Sequence, residues 1–85
     1  MDKELDHLLH RSRCARAVLG VFRAVSRARC GGLAVPDLAR LLAGRFPAST
    51  VRRAAVELHR LGAIVAAGRK RTRHNATATV WRALG

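Results

Sequence analysis

Eighty-five residues form one small domain, 1–85, burying about 60–65% of its unfolded surface, which sustains a binding module and leaves little room for an enclosed active site. Seventeen Lys and Arg stand against five Asp and Glu, a net charge of +12, and Asp2, Glu4 and Asp6 crowd the first six residues, so residues 7–85 carry 16 basic and two acidic side chains, net +14. Such a field repels itself unless a polyanion neutralises it, and nucleic acid is the obvious one, because its counterions are released on binding. Arg and Ala enrichment also follows from a GC-rich genome, which accounts for Arg over Lys but not for the shortage of acids.

The first predicted element is a helical stretch over 3–28. Ala15, Val18, Phe22 and Val25 fall on one helical face, and Leu5, Leu8 and Leu9 extend an apolar surface towards the N-terminus. Arg13, Arg16, Arg23 and Arg27 fall on another face. They are read first as a solvated face and second as phosphate contacts. Apolar residues thin out near 11–13, where a break is expected. "CGG" at 30–32 ends the stretch. "LAV" at 33–35 is short and apolar, with the length of a minor strand. Pro36 then opens a second helix, Asp37 suits the positive end of its dipole, and Leu38, Leu41 and Leu42 give its apolar stripe. Gly44 is expected to end it. "RFP" at 45–47 is the turn, with Phe46 turned inward.

A third helix runs from about Pro47 to Gly62. Val51, Ala55, Leu58 and Leu61 form its apolar side, and Ser49, Arg52, Arg53, Val56, Glu57 and Arg60 its opposite side. Residues 36–61 thus read as a helix-turn-helix. "AIVAA" at 63–67 and "ATATVWRAL" at 76–84 carry β-branched residues at hairpin separation. Between them "GRKRTRHN" places its bases at a hairpin tip. The fold class is α+β, mainly α: three helices and a C-terminal hairpin over 63–84, with the short strand at 33–35 as a third.

The segment from "VPDLARLLAG" through "STVRRAAVELHRLGAIV" to "TVWRAL" resembles the winged helix-turn-helix superfamily of bacterial and phage DNA-binding proteins. The likeness covers about 33–84 and is specific for the fold rather than for a subfamily. It implies a sequence-specific double-stranded DNA-binding protein, a transcriptional regulator that occupies an operator in a bacterial cytoplasm or nucleoid or a phage-infected host. It further implies that the third helix enters the major groove and the hairpin, or wing, reaches an adjacent groove or phosphate. Base edges are met by the N-terminal half of such a helix. The reading surface is then Ser49, Thr50, Arg52, Arg53 and Val56, with Arg60 nearer phosphate. The wing contributes Arg69, Lys70, Arg71, Arg73 and His74. Arg45, with the arginines of the first stretch, is a further phosphate candidate. Val56 suits a thymine methyl as well as it suits packing on a neighbour. Leu5, Leu8 and Leu9 offer a homodimer surface, since symmetric operators suit two-fold proteins.

The remaining chemistry-bearing residues have plainer readings. Cys14 and Cys30 lack a CxxC pattern and read as buried or half-buried thiols of a reducing cytoplasm. His7, His10 and Cys14 share a helical face, but no fourth metal ligand accompanies them, so no metal or other cofactor is expected. His59 reads as a surface residue. Trp81 reads as an anchor of the core or the wing base. With no Tyr and two Phe, the chain lacks the stacking platforms of single-strand binders. Asp37 and Glu57 each have a helix-surface explanation, no catalytic set is visible, and an enzyme is not expected. Neither a membrane partner nor a small-molecule ligand is evident. The rival readings are an adaptor that binds an acidic protein and a structured-RNA or ribosome-associated protein.

Overall fold

The computed structural model describes residues 2–27, 32–71 and 76–84. Its elements, in order, are α1 (Asp2–Arg11), α2 (Arg13–Arg27), β1 (Leu33–Ala34), α3 (Val35–Leu41), α4 (Ala48–Arg60), β2 (Ile64–Arg71) and β3 (Thr77–Ala83). The domain is α+β and mainly helical, with a three-stranded antiparallel sheet in the order β1-β3-β2.

The described helices number four rather than three because the first stretch divides at Ser12, within the 11–13 span where the sequence placed a break. Its hydroxyl accepts the Ala15 amide at 3.1 Å, the bond by which serine caps a helix start. The Ser12 amide still donates to the Leu8 carbonyl at 3.0 Å, so α2 follows α1 closely. Leu8 is 2% exposed, and Leu5 and Leu9 pack half-buried on the same core. Of the three leucines expected to face a second copy, Leu8 is enclosed inside the chain, while Leu5 and Leu9 keep part of their surface exposed.

One core joins all the layers. Val18, Phe22, Leu38, Val51 and Leu58 are fully buried, and Ile64 is nearly so. Burying each such side chain stabilises by about 1.5–3 kcal/mol. Leu41 departs from the predicted stripe: Leu38 and Leu42 are buried, whereas Leu41 is 64% exposed, since α3 offers the core only the narrow face that α4 covers. α3 ends at Leu41 with Leu42 as its C-cap, so Gly44 lies within the turn rather than at the helix end. That turn closes with the Arg45 and Phe46 amides both donating to the Leu42 carbonyl at 2.9 Å.

The exit from α4 matches its sequence. Gly62 takes φ +77, its amide donates to the His59 carbonyl at 3.0 Å, and the Ala63 amide donates to the Leu58 carbonyl at 2.9 Å. This is the Schellman closure that glycine favours, and it directs the chain straight into β2. β3 is central: Leu33 opposes Trp81 on one side, and Ile64 through Arg71 run along the other. The Ala83 amide donates to the Ser26 hydroxyl at 3.2 Å, fastening β3 to α2. β2 continues through Arg71, four residues beyond the predicted strand, so Arg69, Lys70 and Arg71 lie on a paired strand rather than at a tip. Among the described residues no helix is long and apolar enough to cross a membrane.

Candidate nucleic-acid interface

α4 buries Val51, Ala54, Ala55 and Leu58 and leaves Ser49, Thr50, Arg52, Arg53, Val56, His59 and Arg60 exposed. All six residues expected on its reading surface thus lie on the solvent side. Its N-cap is Pro47, no side chain caps it, and no acid occupies its first turn. The unpaired amides of that turn and the positive end of the helix dipole therefore reinforce Arg52 and Arg53. Val56 is 55% exposed. It borders an apolar groove of about 220 Å³ that Val35, Pro36 and Ala39 of α3 and Trp81 of β3 also line.

Trp81 joins the helix to the hairpin. Its ring lies 4.6 Å, centroid to centroid, from that of His59, tilted by 54°, within the range of favourable ring pairs. His59 looks like an ordinary surface residue in the sequence. Its aromatic partner sits 22 positions away, and no local pattern announces the contact.

The strand register fixes where the hairpin cations point. Arg69 opposes Thr79 and Arg71 opposes Thr77, while Lys70 opposes Ala78. Directly opposed residues share a face of the sheet, and β3 side chains alternate, so Arg69 and Arg71 lie on the face that also carries Trp81. That is the face by which Trp81 meets α4.

Lys70 alternates to the other face, and its ammonium pairs with the Asp37 carboxylate at the start of α3. Arg40, one turn along α3, pairs with the same carboxylate. The pairing with Lys70, and next the hydrogen bond from Arg40, hold the Asp37 carboxyl below its ordinary range. Asp37 is thus more than a helix-surface acid: it joins α3 to β2.

The other candidate cations are dispersed. Arg45 is exposed in the α3–α4 turn, its guanidinium 5.4 Å from the centre of the Phe46 ring, a cation–π distance. Arg13, Arg16 and Arg23 are exposed on α2, off the side that packs on α4 and β3. The Arg27 side chain, Arg73, His74 and Cys30 lie outside the described residues. Cys14 is buried, and that burial raises its thiol pKa. His7 and His10 are exposed on α1. A second, more polar cleft of about 510 Å³ lies between α1 and the C-terminal half of α4, edged by His7, Arg11, Glu57 and Arg60. No pocket was legible in the sequence.

Comparison with known proteins returns no matching family model, no matching curated protein and no matching solved structure.

Proposed function

We propose that the chain is a winged helix protein that binds double-stranded DNA in a sequence-specific manner and regulates transcription by occupying an operator. In this reading α3 and α4 are the helix-turn-helix, and β2 and β3 are the wing. The observation that carries it is the shared orientation of two cationic elements. The Trp81–His59 contact sets the hairpin against α4, and the register turns Arg69 and Arg71 to that same face. A B-form major groove, about 12 Å wide, admits an α-helix. The uncapped start of α4 suits phosphate, Arg52 and Arg53 suit base edges, and Arg60, Arg69 and Arg71 suit the flanking backbone. The work of such a protein would lie in a bacterial cytoplasm or nucleoid or a phage-infected cell.

Selection from a randomised duplex library tests the proposal. An enriched motif whose retention is lost on Arg52→Ala or Arg53→Ala is the expected result. Recovery of unenriched sequence, with equal retention of duplex RNA, overturns it and favours the structured-RNA reading.

A further inference from the structure

We propose that Asp37 is a positioning residue that ties the hairpin to α3, and that Lys70 serves this tie instead of contacting nucleic acid. The second half rests on the DNA-binding reading; the first does not.

Beyond the first six residues the chain has two acids, Asp37 and Glu57. The Asp37 side chain is 20% exposed, against 60% for Arg40 and 48% for Lys70, and both cations converge on it. Arg40 belongs to the same helix and cannot join two elements. Lys70 lies 33 positions on, in β2, so its ion pair spans two elements.

The tie falls on the part of the hairpin that β1 does not pair with. β1 pairs with β3 only at Trp81 and Val80. Past Val80 the sheet narrows to a two-stranded ribbon, and β2 is exposed from Ala66 onward. Isolated ribbons are marginal and twist readily. An ion pair from α3 restrains that twist, and because α3 packs on α4, it also fixes where Arg69 and Arg71 stand relative to α4. The register explains the division of labour: alternation sends Lys70 to one face and its two arginine neighbours to the other.

Amide hydrogen exchange on the full chain tests the tie. Exposed ion pairs shift local opening by about two- to fivefold. Asp37→Asn and Lys70→Met should each raise exchange at residues 69–71 and 77–79 by that factor, and the double variant should add nothing further. Lys70→Arg should keep wild-type exchange, and Arg40→Met should leave the hairpin unchanged. Wild-type exchange in Asp37→Asn and Lys70→Met, or an equal rise in Arg40→Met, overturns the tie. If Asp37→Asn fails to fold, the Lys70→Met and Lys70→Arg pair decides alone.

The second half is read from binding to a random 30-base-pair duplex across a salt series. Arg69→Met should flatten the slope of log affinity against log salt by about 0.9. Lys70→Met should leave that slope at the wild-type value, and a loss equal to that of Arg69→Met overturns the second half. Absence of duplex binding by the wild-type chain defeats the DNA-binding reading, and this half with it, while the exchange result still decides the tie.

Discussion

Replacing Arg60 by Met removes a cationic fork from the last turn of α4 and keeps most of its apolar stem. Arg60 is exposed, so little packing is lost. Among the described residues, five arginines lie on α4 and the Trp81 face of the hairpin: Arg52, Arg53, Arg60, Arg69 and Arg71. If each neutralises one phosphate, log affinity for non-specific duplex falls against log salt with a slope of about −4.5, close to a 500-fold loss between 50 and 200 mM. Lys70 is left out of that sum because it alternates to the other face of β2. Arg60→Met should bring the slope to about −3.6 and weaken binding to all sequences alike. The assay is fluorescence anisotropy of a labelled 30-base-pair duplex at five salt concentrations, with unfolding midpoints of both proteins compared at each. A wild-type slope shallower than about −2 would refute the five-contact surface. An unchanged slope in Arg60→Met, with wild-type stability, would remove Arg60 from it.

Exposed Val56 is expected to read a thymine methyl: changing thymine to uracil at one position of the selected site should weaken wild-type binding about fourfold and leave Val56→Ala unaffected, as the loss of one methyl contact implies. Gly32→Ala should destabilise the fold by about 1–3 kcal/mol in denaturant unfolding, because a Cβ there would meet the Trp81 carbonyl oxygen and Val80 Cγ1 at 2.6 Å and Gly32 holds φ +123. In a Cys30→Ser background, buried Cys14 should react with a thiol reagent at neutral pH only after unfolding, since burial holds its pKa up and the thiolate is the reactive form. The Asp37 carboxyl, which faces Lys70 and Arg40, has a depressed folded pKa, so its tie is fully present above the ordinary carboxylate value of about 3.9 and is lost as pH falls through the lower folded value. Hairpin exchange, corrected for intrinsic rates, should stay level from pH 8 to 5 and rise below about pH 4.

The readings that succeeded rest on local rules. Gly62 after the Leu58–Leu61 stripe marked the end of α4, because a Schellman closure needs only six consecutive residues. Pro36 and Asp37 marked the start of α3 in the same way. The readings that failed depend on partners far along the chain. "GRKR" has poor strand propensity on its own, yet it pairs because β3 supplies a complementary edge; pairing overrides propensity. Asp37 had a sufficient local explanation in the helix dipole, which concealed its link to Lys70. Leu41 followed the helical period but fell outside the narrow face that α4 covers. In each case periodicity identified the element, and only the tertiary neighbour decided the role of the residue.

In the proposed reading, charge alone does not make a site. Arg13, Arg16 and Arg23 on α2 are exposed, as are the arginines on α4, yet they are borne on a helix whose start is already satisfied by Ser12. The start of α4 differs. Proline serves as its N-cap and no side chain caps it, although Ser49 and Thr50 lie in the first turn. A missing side-chain cap costs about 0.5–2 kcal/mol, and packing of Val51, Ala54, Ala55 and Leu58 offsets it. What that arrangement leaves is a positive helix end beside Arg52 and Arg53. The Trp81–His59 contact and the Asp37–Lys70 pair join the hairpin to α4 and α3, and the register turns Arg69 and Arg71 to the Trp81 face. Two bases on a freely twisting ribbon would raise affinity for any polyanion. Two bases at a fixed offset from a helix can require a particular duplex geometry, which is the physical difference between a sticky surface and a reading surface.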